Sequence, residues 1–181
     1  MLMSIREARP SDFAAVDEVE QEAFGDHGTL VVNLIHALRP VGSERGGLEL
    51  VAEDDDGRVV GHVLFSAGLL DAPSRLVPVQ VLSPIAVSPD RQGMGIGKQL
   101  ITHGAQILGA RRVPAIFLEG DPGFYSRVGF VQAGDRGFRK PSLRIPDEAF
   151  QLLPLPAFEP WMSGTLVYAD PFWTLDAVGL R

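Results

Sequence analysis

The sequence predicts a mixed α/β (α+β) domain, a sheet of several strands with helices packed on it. Three observations carry that expectation. Residues 48–53 and 58–69 are strand-like runs on either side of Asp54-Asp55-Asp56-Gly57, and Asp-Gly is a favoured hairpin pair. Leu30, Val31, Leu34, Ile35 and Leu38 fall on one face at helical spacing. An apolar run over residues 79–87 enters a glycine-rich loop from which another helical pattern starts. Strands and helices that interleave in this way form layered α/β or α+β folds.

The elements follow in order. Residues 3–8 read as a first strand. Ser11 is a good N-cap for a helix with apolar Phe13, Val16, Ala23 and Phe24, which Gly25 ends. Thr29 caps a second helix that Pro40 stops. The hairpin comes next, then a loop over residues 71–78, then the apolar strand to residue 87, interrupted by Pro84. Ile96, Leu100, Ile101, Ile107 and Leu108 mark a helix of three to four turns. Residues 113–118 form a short buried strand, residues 121–130 a short helix or turn, and Phe130 starts another strand. Pro141, Pro146, Pro154, Pro156 and Pro160 break the C-terminal quarter into short pieces, with a last strand over residues 165–168. With 181 residues and no linker, the expectation is a single domain over residues 1–181.

Composition narrows the function. Net charge is −7, which disfavours a nucleic-acid partner and suits cationic substrates. The absence of cysteine excludes disulfides, a thiolate nucleophile and cysteine metal sites. No His/Asp/Glu grouping has metal spacing, so no metal is expected. No apolar run reaches about 18 residues, and the N-terminus lacks the apolar stretch of a signal peptide, so no membrane partner and a cytoplasmic location are expected.

The segment from Ser83 to Lys98 is the most informative. Gly93, Gly95 and Gly97 crowd a helix start, where each costs about 1 kcal/mol if helical. What they return is bare backbone N–H groups at a helix N-terminus, where an anion is favoured. Arg91 and Lys98 add positive charge, so the loop reads as a pyrophosphate site. It is not a Walker A loop, because Gln92 stands where the first glycine is needed and Gln99 follows Lys98. Nor is it a dinucleotide fingerprint, because Lys98 or Leu100 occupies the last glycine position.

Gln92-Gly93-Met94-Gly95-Ile96-Gly97 matches Q/R-x-x-G-x-G/A, it follows Ile85-Ala86-Val87 and Ser88-Pro89-Asp90, and Tyr125-Ser-Arg-Val-Gly129-Phe130 matches Y-x-x-x-G-F about 30 residues on. These residues resemble the GNAT superfamily of N-acetyltransferases, and with the Gly120-Asp121-Pro122 turn its YhbS-type bacterial branch. The resemblance implies a splayed, mostly antiparallel twisted sheet with helices on both faces. It implies acetyl-CoA wedged between two parallel strands, with residues 136–181 completing the sheet and the acceptor pocket. It also implies cofactor contacts at Ile85, Ala86, Val87, Arg91, Gln92, Gly93, Met94, Gly95, Ile96, Gly97, Lys98 and Tyr125. Two departures stand out: Asp121-Pro122-Gly123 shortens the helix before Tyr125, and residues 79–87 lack the carboxylate many members carry there.

The implied chemistry is direct transfer of an acetyl group to a primary amine, on a small molecule or a peptide, in a ternary complex. The main rival is an acetyl-CoA sensor with little transferase activity, and a third reading is another phosphate-binding α/β protein such as a nucleotide enzyme. Residues 85–87 offer a strand edge to the pantetheine amides, and a free N–H there is an oxyanion donor. Tyr125 is the candidate general acid, protonated at neutral pH. The base is left open: Glu119, at the end of the strand leading to Tyr125, is one candidate, and a water relay is an alternative. Glu22 and Asp26 lie where acceptor sites form in relatives, and His27, His36, His62 and His103 read as structural or exposed. Residues 53–56 read as a solvated hairpin tip. Phe172, Trp161 and Trp173 read as core or homodimer contacts, or as a wall of the acceptor pocket.

Overall fold

The computed structural model describes residues 3–179. The chain runs through β1 (Ser4–Glu7), α1 (Phe13–Phe24), α2 (Gly28–Arg45), β2 (Leu48–Glu53), β3 (Val59–Asp71), β4 (Leu76–Val87), α3 (Ile96–Ala110), β5 (Ala115–Glu119) and α4 (Pro122–Tyr125). It continues through β6 (Val131–Gln132), β7 (Phe138–Arg139), β8 (Phe150–Pro154), β9 (Gly164–Val167) and α5 (Asp170–Thr174).

The strands form one sheet in the order β1-β2-β3-β4-β5-β8-β6, and β9 joins the far end of β3 through Leu69↔Val167 and pairs with β7. All pairings are antiparallel except β4 with β5 and β7 with β9. The hairpin of β2 and β3 closes through Asp54, whose Oδ1 accepts from the backbone N–H of Asp56 and Arg58.

Side-chain alternation sends each strand's apolar residues to two cores. On one face α2 packs Leu34, Ile35 and Leu38 against Leu64, Val79 and Val81, and α1 packs Val16 and Val19 against Val51 and Ala86. On the other face α3 packs Leu100, Ile101 and Leu108 against Leu50, Val63 and Phe65. Gly104 lets α3 lie flat there, since a Cβ on it would stand 2.3 Å from the Phe65 ring. The sheet is therefore mixed, mostly antiparallel and covered on both faces.

Three expectations need correction. Pro40 does not stop α2, which starts at Gly28 and runs on to Arg45 before Gly46 turns left-handed. Proline costs a helix one hydrogen bond, and tertiary contact outweighs that here: Leu38 and Gly42 are buried, and Gly42 packs on Gly47. The loop after β3 is shorter than expected, because β4 already starts at Leu76. The proline-rich C-terminal quarter holds a full core strand, β8, which pairs with both β5 and β6.

Candidate active site

β4 and β5 run parallel but pair only at Gln80↔Ile116 and Val81↔Phe117. Beyond that point β4 continues to Val87 and β5 to Glu119 without pairing, so the sheet parts. On its other side β4 stays bonded to β3. Phe65 pairs with Leu82 and Val63 with Ile85, leaving Ser83 and Pro84 opposite Leu64 alone. The break expected at Pro84 is thus a β-bulge, which bends a strand without ending its ladder.

The glycine loop closes the floor of this opening. Gly93 and Gly95 have φ of 77° and 81°, the left-handed region where only glycine is free of strain. The Gln92 side chain donates to Val87 O at 3.0 Å and ties the loop to β4. Gln99 N–H bonds Gly95 O at 3.1 Å, so Ile96, Gly97 and Lys98 are the first-turn residues whose N–H groups lack a partner four residues back.

A cleft of about 530 Å3 results. Of the residues expected at a cofactor, Ile85, Ala86, Val87, Arg91, Gln92, Gly93, Gly95, Ile96, Gly97 and Lys98 line it. Met94 does not; it stands half-exposed between the two left-handed glycines. The opposite wall is Phe124, Arg127 and Val128, which the sequence reading missed. Their spacing of three and four residues, on the turn that Asp121-Pro122 starts, was the available signal.

Two features fit an elongated anionic ligand. A Cβ on Gly97 would lie 3.4 Å from Phe124 Cζ, 3.8 Å from Ile85 Cδ1 and 3.9 Å from Val87 Cγ2, so a side chain here would fill the space between the two walls. Arg91 Nε is a buried donor without a partner among the described residues. The rest of Arg91 faces Asp54 at 3.4 Å and Asp90 at 3.5 Å, so the hairpin tip is not simply solvated.

Tyr125 does not line this cleft either. Its ring stands edge-on to Phe124 (4.9 Å) and Phe130 (5.7 Å), and a Cβ on Gly120 would meet Tyr125 Cε2 at 2.5 Å. Burial first, and the nearby Asp121 carboxylate second, push its hydroxyl up to about 12. Gly120 belongs to a second cleft of about 320 Å3, which Glu119, Asp121, Glu148 and Ala149 also line. The Tyr125 ring therefore lies between Phe124 of the first cleft and Gly120 of the second. Glu119 opens on the second cleft, and its Oε1 accepts from Gly179 N–H at 2.9 Å.

Comparison with known proteins decides the family. The chain matches the acetyltransferase (GNAT) domain family over residues 45–132. It is 34% identical over 169 residues to the uncharacterized N-acetyltransferase YjhQ of Escherichia coli, covering 89% of each chain. The chain belongs to the GNAT acetyltransferases. The crystal structure of the Escherichia coli GNAT N-acetyltransferase YhbS in complex with CoA superposes with a TM-score of 0.82 at 30% identity, covering 94% of this chain and 91% of that one. A Brucella melitensis GNAT acetyltransferase in complex with acetyl-CoA superposes at 0.74 and 32% identity, covering 94% and 98%.

The remaining candidates of this acetyltransferase lie elsewhere. Glu22 borders a shallow groove with Asp17 on α1, and His36 pairs with Asp17 at 2.8 Å. Asp26, His27 and His103 line neither cleft, nor do Phe172, Trp161 and Trp173. Phe172 is buried against Tyr168, and Trp161 lies under Arg75.

His62 is structural in a way the sequence did not show. It is fully buried, with Nδ1 on Glu20 Oε1 at 2.5 Å and Nε2 on Glu49 Oε1 at 3.0 Å, and Arg39 closes the chain onto Glu49 at 2.8 Å. Burial opposes the charge on His62, but the two carboxylates outweigh it and raise its pKa. Burial raises Glu20, which His62 only partly offsets. Burial also works on Glu49, but His62 and Arg39 hold it down to about 2. This network fastens α1 and α2 to the face of β3 beside Ala86, which pairs with His62 across the ladder.

Among the described residues no helix is long and apolar enough to cross a membrane.

Proposed function

We propose that this acetyltransferase binds acetyl-CoA in the first cleft and transfers the acetyl group directly to a primary amine presented from the second. The observation that carries the reading is the parting of β4 from β5 above a glycine loop that leaves first-turn N–H groups bare. Two close structural neighbours, solved with CoA and with acetyl-CoA, support it.

Acetyl-CoA brings an activated acyl group and a thiolate leaving group. The chain supplies the rest. The N–H groups of Ile96, Gly97 and Lys98 hold the pyrophosphate at the positive end of α3. The unpaired edge of β4 at Ile85–Val87 pairs with the pantetheine amides as a strand would. A backbone N–H of the same stretch polarises the thioester carbonyl, a contribution of about 3–4 kcal/mol in acyl transfer.

Tyr125 donates a proton to the leaving sulfur. Its raised pKa keeps that proton in place at neutral pH, and its hydroxyl makes no hydrogen bond to another described residue that would compete. Its position between the clefts suits a ternary complex with donor on one side and acceptor on the other. Glu119, on the acceptor side, takes the proton that the amine loses. The acceptor is a small-molecule or peptide amine.

The test is acetyl-CoA turnover against a panel of amines, with mass spectrometry of the product. An acetylated amine supports the reading. Acetyl-CoA binding with no acetylated product across the panel contradicts the transfer step and leaves a sensor of acetyl-CoA.

A further inference from the structure

Three cations line the first cleft, and they are not equivalent. Arg91 faces Asp54 and Asp90, with only its Nε left without a partner among the described residues. Lys98 and Arg127 have exposed side chains that make no hydrogen bond or ion pair to another described residue, and they stand on opposite walls. Lys98 belongs to the first turn of α3, beside the N–H groups proposed to hold a pyrophosphate. Arg127 lies one turn past Phe124, on the wall that faces the α3 N-terminus across the cleft.

CoA carries two kinds of phosphate. Its pyrophosphate is an internal diester, while its ribose phosphate is a terminal monoester with up to two negative charges and three free oxygens. A compact ammonium next to helix N–H groups complements the first. A planar guanidinium, which binds oxyanions through two parallel hydrogen bonds, complements the second. A second unmatched cation across the cleft, on a chain of net charge −7, has no evident use unless the ligand brings a second anionic group.

We propose that Arg127 is the specificity residue for the ribose phosphate monoester, so that the protein selects CoA over dephospho-CoA, while Lys98 serves the pyrophosphate common to both. This rests on the acetyl-CoA reading above.

Calorimetric titration of CoA and of dephospho-CoA into the wild-type chain, Arg127→Ala, Arg127→Lys and Lys98→Ala tests it. The expected wild-type preference for CoA is about 10- to 100-fold, the scale of a charge-assisted bidentate contact. In Arg127→Ala that ratio falls to about 2 or less, because CoA loses what dephospho-CoA never had. Arg127→Lys keeps part of it. Lys98→Ala weakens both ligands and leaves the ratio unchanged. Both residues are exposed, and circular dichroism checks that each variant is folded. Equal wild-type affinity for the two ligands, or an unchanged ratio in Arg127→Ala, overturns the assignment while leaving the CoA reading standing. No binding of either ligand to the wild-type chain overturns both.

Discussion

Gly97→Val separates ligand binding from folding more cleanly than any other change in the loop. Gly95 is the more obvious plug, but its φ of 81° strains any side chain, and a loss of binding there would be confounded. Gly97 has ordinary helical backbone, and a Cβ on it meets nothing closer than 3.4 Å. Valine is also a slightly better helix former than glycine, by a few tenths of a kcal/mol. The folded state should therefore change little, with the exposed Phe124 ring giving way to the γ-methyl groups. The two added methyl groups, however, stand between Phe124 and Ile85, where the bare backbone is exposed. Losing one N–H contact to a charged phosphate costs about 1.5–3 kcal/mol, which is about 10- to 150-fold in affinity. Gly97→Ala should fall between the wild type and Gly97→Val. The assay is CoA titration by calorimetry, paired with a denaturant melt of the same preparation. A folded Gly97→Val protein with wild-type CoA affinity would refute the placement of the ligand.

Other predictions follow from neighbouring observations. Tyr125→Phe should lower turnover about 10²–10⁴-fold with little change in acetyl-CoA affinity, because the lost proton matters in the transition state; steady-state kinetics with a working acceptor check this. Gly104→Ala should destabilise the chain by about 1–3 kcal/mol in urea, since its Cβ collides with the Phe65 ring in a packed core. The melting temperature should fall as pH rises above about 6.5, because the raised folded-state pKa of His62 gives stability that is full below its unfolded value and lost as pH climbs through the folded one. Glu49 acts in the opposite sense: its depressed pKa gives stability present above about 4.5 and lost as pH falls toward 2. A melting temperature that is flat from pH 6.5 to 9 would contradict the His62 assignment.

What the sequence revealed and what it hid divide along a physical line. The glycine loop was legible because backbone exposure to an anion demands particular residues at adjacent positions, and Gly93 and Gly95 do turn left-handed. The β2–β3 hairpin was legible because Asp54 and Gly57 make its turn locally. Pro40 misled because its cost is local, whereas the burial that outweighs it comes from Gly47 and the sheet. β8 went unread because prolines flank a strand of only five residues. The His62 network was invisible for another reason: Glu20 and Glu49 lie 42 and 13 residues from it, and only the stacking of α1 on β2 and β3 brings the three together. Tyr125 stood out as a motif, yet its place between two clefts depends on Gly120 and Phe124 packing on either side of the ring.

Hydrogen–deuterium exchange with and without acetyl-CoA tests the central claim, that the parted strands and the glycine loop hold the acyl donor, most directly. The predicted result is protection of backbone amides in two separate stretches, residues 85–98 and residues 124–128, with much weaker protection by NAD or ATP at the same concentration. Unchanged exchange in residues 85–98 at saturating acetyl-CoA, or equal protection there by NAD, would contradict it.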